Sequence, residues 1–291
     1  MKTMLAFLAF CLILISCNKP KTFDYSLLEG EWIYLDTSHK AETDPMAPRV
    51  WGIMPLSLRN HKGDLYDSIY KVIKDTLFFK IFPHHREKLE NSWFSKYVIK
   101  DLTKDTLTVF ALKDSTLHTF YNSNLIKDTS LHVTRICFTS SGCYGTCPVI
   151  NLEINKDASV HFSGHTFTNK KGYYTGKISN KTFKYFEDII QKTEIEKLDS
   201  IYEESMTDSQ AIGINVFYNK GKSKSIYIYP SFYYDLPFIN LLSENFMRFD
   251  SYFPLTQNMN DYSFPYNKFP THFQIPLPLL ETIKFTPPLV E

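Results

Sequence analysis

The sequence carries no excess of charge of either sign. Its 291 residues include 32 Lys and Arg against 31 Asp and Glu, and the loss of Lys2 alone would leave the chain neutral. Nucleic acids and acidic membrane surfaces attract strongly basic proteins. A balanced chain offers no electrostatic reason to bind either, so the charge argues against a nucleic-acid-binding protein.

The sequence also lacks the short motifs of common enzyme classes. It contains no Gly-x-Ser-x-Gly turn, no phosphate-binding P-loop and no dinucleotide fingerprint. Hydrophobic residues make up 43% of the chain, which is enough for packed cores, and the aromatic share of 16% suits β-sheets. The sequence therefore predicts a folded protein and points to no catalytic residue and no cofactor.

The apolar run at the start of the chain is too short to span a bilayer. Met4–Ile15 offer about a dozen apolar residues, whereas a spanning helix needs roughly twenty. Leu14-Ile15-Ser16-Cys17 follows, and this pattern resembles the signal of bacterial lipoproteins. The resemblance implies that residues 1–16 are removed and that Cys17 carries the lipid, palmitate included. An ordinary signal peptide or an uncleaved anchor is the alternative.

A lipidated chain is expected in the bacterial cell envelope, at the outer membrane, with residues 17–26 as a tether. Exported proteins meet oxidising conditions, in which cysteines pair. Beyond Cys17 the exported chain keeps three cysteines, Cys137, Cys143 and Cys147. Three is an odd number, so one thiol is expected to stay free or to pair elsewhere, and all three pairings are open.

Residues 27–130 show the pattern of an antiparallel β-meander. Lys-Asp followed by Thr or Ser recurs between runs of β-branched and aromatic residues, at residues 74–76, 104–106, 113–115 and 127–129. Asp favours turns, and the runs between favour strands. Residues 30–35 are expected to form the first strand. Gly30-Glu31-Trp32 resembles the start of lipocalin-like barrels, which implies a cavity for a small hydrophobic ligand.

Residues 131–253 indicate a two-layer α+β domain, with the boundary before it near residues 128–133. Alternating patterns predict strands and turns, and helical spacing of Phe and Ile predicts a helix over 181–192, capped by Ser179 or Asn180. A second helix is expected from Asp235. We interpret the region as a hairpin-helix unit used twice, with hairpins at residues 149–164 and 213–230.

Residues 254–291 contain seven of the fifteen prolines, which exclude a long helix. The segment is nevertheless rich in apolar and aromatic side chains, unlike a purely disordered tail. We expect it to lie extended across one of the two domains.

Cys143, Cys147, His161 and His165 come close to the spacing of a zinc finger. However, residues 160–165 alternate as a strand does, which would separate the two histidines by about 13 Å along the strand. Two ligands of one zinc ion each lie about 2 Å from it. The sequence therefore predicts no metal site.

A redox pair is also a poor match to the two cysteines. Redox motifs have two residues between the cysteines at the start of a helix, whereas Cys143 and Cys147 are separated by three. Pro148 favours an extended Cys147, and a strand pattern follows. A redox role is kept as an alternative.

The run Cys143-Tyr144-Gly145-Thr146-Cys147-Pro148-Val149 resembles the signature of an uncharacterised bacterial lipoprotein family, domain of unknown function 6438. The resemblance covers residues of about 131–250, and its looser parts fall on Asp157-Ala158, Tyr202 and Thr207-Asp208. The family pattern lacks a cysteine that corresponds to Cys137. It therefore favours a Cys143–Cys147 disulfide that closes a turn before the strand at Val149, with Asn151 and Glu153 facing away from the helices.

Together these features predict a lipid-anchored envelope protein with a non-catalytic binding or assembly role. Its partner would be another envelope protein or a small ligand. Two alternatives remain: an extracytoplasmic thiol-redox protein, and a carrier of small hydrophobic ligands in a lipocalin-like cavity.

Overall fold

The chain is β-rich, with few helices. The computed structural model describes residues 22–34, 56–58, 69–80, 94–112, 115–204, 208–231, 236–259 and 262–264. The predicted signal at residues 1–16, the lipidation site Cys17 and residues 265–291 lie outside these stretches. The described strands fall into two sheets.

The first sheet has seven antiparallel strands. They are β1 (Gly30–Tyr34), β2 (Leu56–Leu58), β3 (Ile69–Ile73), β4 (Thr76–Lys80), β5 (Phe94–Leu102), β6 (Thr106–Ala111) and β7 (Leu117–Asn122). Their spatial order is β2-β1-β7-β6-β5-β4-β3. A meander runs from β3 to β7 as expected, but β1 lies beside β7 and not before β3, with Trp32 opposite Asn122.

The recurring Lys-Asp pairs do not all have the same role. Lys74 and Asp75 have φ of 47° and 62° and join the paired residues Ile73 and Thr76. Two left-handed residues in succession form the tight turn that suits a two-residue hairpin. The pair at residues 127–128 instead follows a 3-10 helix, Ser123–Ile126, and carries the chain from the first sheet to the second.

Large apolar side chains fill the core of the first sheet. Trp32, Leu77, Tyr97 and Leu107 are fully buried there. The indole Nε1 of Trp32 donates a hydrogen bond to the Leu28 carbonyl oxygen at 2.9 Å, which satisfies its polar atom. Burial of each such side chain contributes about 1.5–3 kcal/mol, so this core is a main source of stability for the first sheet.

The second sheet has eight strands. They are β8 (Val133–Ser140), β9 (Ile150–Asn155), β10 (Ser159–Gly164), β11 (Gly172–Lys177), β12 (Ile201–Glu203), β13 (Ile212–Tyr218), β14 (Lys222–Tyr229) and β15 (Leu255–Gln257). Their order is β12-β14-β13-β8-β9-β10-β11-β15. β12 and β14 are parallel, and the other neighbours are antiparallel.

Helices α1 (Asn180–Gln191), α2 (Pro237–Met247) and α3 (Phe249–Tyr252) accompany the second sheet. The Ser179 hydroxyl accepts a hydrogen bond from the Thr182 amide at 3.0 Å and caps α1. α2 begins at Pro237, which suits a first helical position, while the expected start at Asp235 lies outside the described residues. Within the described stretches, no helix has the length and hydropathy needed to cross a membrane.

The helices cover one face of the second sheet. Phe246 of α2 meets Phe186 of α1 edge to face at 5.0 Å between ring centroids, and Phe138 of β8 at 5.5 Å. Ile150, Leu152 and Ile154 of β9 share this face and are at most 1% exposed. Alternate side chains of β9, its two isoleucines and its leucine, therefore face the helices, as the sequence predicts.

A buried ion cluster joins the end of α1 to the first sheet. The ammonium group of Lys192 lies 2.8 Å from Glu31 Oε2 on β1 and 2.6 Å from Asp188 Oδ2, and Lys192 and Glu31 are each 3% exposed. Lys127 also pairs with Asp188. Ile33 of β1 packs into the core of the second sheet. The two sheets therefore touch through β1 and α1.

Candidate functional site

Cys143 and Cys147 form a disulfide, with their Cα atoms 5.6 Å apart. The disulfide closes the loop between β8 and β9, which are paired strands of the second sheet. Residues 144–146 form the exposed tip of this loop, and the Tyr144 side chain is 84% exposed. The closed loop therefore presents the Tyr144 ring to solvent.

Gln210 holds both ends of the disulfide loop. Its side-chain amide donates hydrogen bonds to the carbonyl oxygens of Ser141, at 2.9 Å, and Pro148, at 2.7 Å. Gln210 is only 5% exposed, so these bonds are shielded from water. Ser141 and Ala211 add two further bonds, from Ser141 N to Ala211 O and from Ala211 N to Ser141 Oγ. The loop base is therefore fixed to the segment before β13.

A second loop, residues 165–171, lies directly beside the disulfide loop. The Val149 amide donates to the Thr166 carbonyl oxygen, and the His165 amide donates to the Val149 carbonyl oxygen, both at 2.9 Å. Phe167 in this loop is 58% exposed and has a left-handed φ of 55°. An exposed phenylalanine in that backbone region is unusual, since bulky side chains disfavour it.

Met259 adds a third exposed apolar side chain to the same end of the sheet. It is 92% exposed and follows β15, and the Asn258 amide donates to the Tyr173 carbonyl oxygen at 2.9 Å near the start of β11. We call Tyr144, Phe167 and Met259 the loop-end triad. The register of β9, β10, β11 and β15 places all three side chains at the same end of the second sheet.

The loops of Phe167 and Tyr144 are each held by a hydrogen bond to an aspartate residue. Lys170 and Lys171 belong to the loop of Phe167, and the Asp250 carboxylate fixes that loop by accepting from the Asn169 amide at 2.6 Å and the Lys170 amide at 3.1 Å. In the other loop, the Tyr144 amide donates to the Asp208 carbonyl oxygen at 3.2 Å. The disulfide loop is therefore tied through its backbone to residue 208.

Cys137 is a free thiol beneath the face of the second sheet that turns away from the helices. It is 5% exposed, and its thiol lies 4.0 Å from Glu153 Oε2. Burial, with the charge of Glu153 adding to it, raises the pKa of the Cys137 thiol to about 12. The thiol is therefore protonated near neutral pH, whereas the thiolate is the reactive form.

Glu153 belongs to a cluster of aromatic and polar groups on this same face. The Tyr262 hydroxyl donates to Glu153 Oε2 at 3.1 Å, and the Tyr173 hydroxyl and His161 Nδ1 lie 2.5 Å apart. Burial, followed by the charge of Glu153 and the hydrogen bond to it, raises the pKa of the Tyr262 hydroxyl to about 12. Glu153 does face away from the helices as predicted, yet it is only 3% exposed.

The structure separates the residues that resembled a zinc finger. Cys143 and Cys147 are oxidised, His161 lies within β10, and His165 Nε2 is 3.2 Å from the side-chain nitrogen Nδ2 of Asn151. Burial lowers the pKa of His165. Among the described residues, no group of three or more His, Cys, Asp and Glu side chains is placed to hold a metal ion.

Sequence reasoning missed Gln210 and Tyr262. Both act over long sequence separations, 62 residues for Gln210 with Pro148 and 109 residues for Tyr262 with Glu153. The one available signal was the aromatic content of the segment after residue 254, which argued for contact with the folded part of the chain.

The comparisons with known proteins identify part of the chain. Residues 134–237 match a family model described as a domain of unknown function (DUF6438). The match covers about a third of the chain, from β8 to the first residue of α2, and includes the disulfide loop and Gln210. No curated protein matches the chain.

Proposed function

We propose that this chain is a lipid-anchored protein of the bacterial outer membrane that binds another envelope protein without catalysing a reaction. The observation that carries the proposal is the loop-end triad, in which Tyr144, Phe167 and Met259 are 84%, 58% and 92% exposed at one end of the second sheet. Large exposed apolar side chains that cluster mark interaction sites in soluble proteins. The disulfide and Gln210 hold the loop of Tyr144 in place before binding, which lowers the entropy cost of association.

The membrane anchor in this proposal is Cys17, supported by the Leu14-Ile15-Ser16-Cys17 sequence after the short apolar run. Cys17→Ala should abolish metabolic labelling with a palmitate analogue and release the protein from the membrane fraction. Unchanged labelling of the variant would contradict the lipid anchor at Cys17. It would not bear on the proposed binding surface.

We also propose that the chain is organised as two domains. The first sheet would be a lipocalin-like domain of residues 27–130, and the second a two-layer α+β domain of residues 131–253. From β9 to α2 the order is β9, β10, β11, α1, β12, β13, β14, α2, in which each helix follows an antiparallel pair, β10–β11 or β13–β14, and this supports a hairpin-helix unit used twice. A chain starting at Leu131 should then fold by itself and melt cooperatively.

A thiol-redox role has less support. Cys137 has a raised pKa, and the disulfide loop leads into strand β9 and not into a helix whose dipole would lower a thiol pKa.

Site-specific crosslinking in intact cells tests the binding surface. Tyr144 is replaced by photoreactive benzoylphenylalanine, and the control places the same group at Leu117, which is 64% exposed on β7 of the first sheet. We expect a discrete protein adduct from position 144 that is lost in the Phe167→Ser variant. Adducts of equal yield from positions 144 and 117, or no adduct from 144, would contradict the proposal.

A further inference from the structure

The ring of Tyr262 lies in a slot on the face of the second sheet that turns away from the helices. It stacks on His161 with ring centroids 4.1 Å apart and planes at 10°, and it is nearly parallel to Tyr173 at 5.7 Å and 7°. Phe264 meets its edge at 4.9 Å and 86°. His161 and Tyr173 are themselves nearly parallel neighbours, with ring centroids 6.1 Å apart and planes at 7°, so β10 and β11 present one flat surface that accepts a planar ring.

The floor of the slot is a hydrogen-bond acceptor. Glu153 Oε2 accepts from the Tyr262 hydroxyl at 3.1 Å, and Glu153 is 3% exposed. Arg135 Nη1 lies 4.0 Å from Glu153 Oε1, and its guanidinium group stacks over Phe217 at 4.1 Å from the ring centroid. A buried carboxylate needs hydrogen-bond donors, so the slot selects a ring with a hydroxyl at its far end.

The slot is open at its outer side. Tyr262, His161 and Tyr173 are each only partly buried, in contrast to the sealed helix-covered face. The chain reaches the slot after β15, a strand of three residues that pairs with β11. A ring held from outside by a short edge strand can leave without unpacking the core.

The segment in the slot also defines the shape of a ligand. Tyr262 and Phe264 are partly buried and Ser263 between them is exposed, which is the alternation of an extended chain. Phe264 approaches the Tyr173 ring as well, at 6.4 Å. The surface therefore fits an extended peptide with a tyrosine and an aromatic residue two positions later.

We propose that the slot of His161, Tyr173 and Glu153 is a peptide-binding site for a tyrosine side chain, which Tyr262 occupies in the absence of a partner. The partner is an extended Tyr-x-aromatic segment of another protein, and it binds by replacing Tyr262. The site is separate from the loop-end triad, and it holds whether or not the chain is lipid-anchored.

Competition in the full chain tests this site. The probe is a fluorescent peptide with the sequence of residues 258–266, and its binding is followed by anisotropy. Tyr262→Ala should bind the probe about tenfold more tightly than the unaltered chain, because the internal competitor has lost its ring and its charge-assisted hydrogen bond. A second probe, in which Phe replaces the first Tyr, should bind the Tyr262→Ala variant about tenfold more weakly than the original probe does.

The matched control is Tyr144→Ala, which removes an exposed tyrosine at the loop end and should leave probe affinity unchanged. Glu153→Gln combined with Tyr262→Ala should lose most of the preference for tyrosine over phenylalanine. If Tyr262→Ala does not fold, Tyr262→Phe gives the same comparison. This variant should bind the probe about threefold more tightly than the unaltered chain, because it loses only the Tyr262 hydroxyl as a hydrogen-bond donor. Equal affinities for the unaltered chain and the Tyr262 variant, or for the Tyr and Phe probes, would overturn the site.

Discussion

On β10, Phe162 and His161 are neighbours in sequence but face opposite sides of the second sheet. Phe162 is fully buried among the helix-covered core, while His161 is partly exposed and stacks on Tyr262. The same pattern holds on β9, where Ile154 belongs to the core and Glu153 to the other face. One alternation therefore builds two faces with different chemistry.

The two faces differ in how well their contacts tolerate amino-acid substitution. The helix-covered face is held by apolar packing, which tolerates changes that conserve volume. The other face depends on specific pairs, such as the Thr139 hydroxyl donating to Asn151 Oδ1 at 2.8 Å and the Ser225 hydroxyl donating to Asn215 Oδ1 at 2.5 Å. A hydrogen-bonded pair is lost when either member changes. We infer that the first face supplies stability and the second supplies recognition.

Phe162→Ala should have the largest effect on stability. Removal of a fully buried ring leaves a cavity, so the free energy of unfolding should fall by about 3–5 kcal/mol in urea denaturation. The neighbouring change His161→Ala is the control and should cost only about 1–2 kcal/mol, since it loses ring stacking and the hydrogen bond with the Tyr173 hydroxyl but leaves no sealed cavity. Similar losses from both variants would contradict the division between the faces.

Gln210→Ala should come next. It leaves the carbonyl oxygens of Ser141 and Pro148 without their buried donor, which is expected to cost about 1–3 kcal/mol. Gln257→Ala on exposed β15 serves as the matched control and should be near neutral. Faster hydrogen exchange at the loop base in Gln210→Ala would be the direct readout, and unchanged exchange would count against its role.

Cys143→Ser with Cys147→Ser should lower the free energy of unfolding by about 2 kcal/mol, because the disulfide closes a loop of few residues. The melting temperature should fall while probe binding at the Tyr262 slot stays unchanged at temperatures where the protein is folded. Peptide mapping under non-reducing conditions checks the pairing itself, and a linkage to Cys137 would contradict it.

Asp188→Asn should give the smallest effect and one that depends on pH. Burial alone would raise the pKa of Asp188, but hydrogen bonds and charges from Lys127 and Lys192 outweigh it and hold the pKa below its usual value. A lowered folded-state pKa adds stability above the unfolded pKa of about 3.9, and this stability is lost as the pH falls through the folded value. Asp188→Asn should therefore be less stable at pH 7 and less sensitive to acid below pH 4, as thermal melts across pH can show.

Local patterns in the sequence predict several elements of the second sheet, but not β11 or β12. The alternation in residues 149–154 predicts β9 within one residue at each end, and the spacing of Phe183, Phe186, Ile189 and Ile190 predicts α1. Of the two caps that the sequence offers, Ser179 and Asn180, the structure shows Ser179. Such patterns succeed because they depend on neighbours along the chain.

Contacts between distant residues could not be predicted in this way. The pairing of β1 with β7 brings Trp32 opposite Asn122, and the pairing of β13 with β8 brings Asn215 opposite Cys137. For the candidate site, the cysteine motif located the disulfide loop, while the support from Gln210 depends on tertiary packing. The strand pattern predicts only that Glu153 faces away from the helices, and nothing in that strand reveals that Tyr262 contacts it.

The two edges of the second sheet have a consequence for the behaviour of the protein at high concentration. Both edge strands, β12 and β15, are only three residues long, and Pro254 directly precedes β15. Short edges flanked by proline discourage strand-to-strand aggregation. Loss of β15 by proteolysis would expose the six-residue backbone of β11, including Gly176, whose missing side chain leaves room for a close neighbour. The trimmed protein would then be prone to polymerise through strand addition.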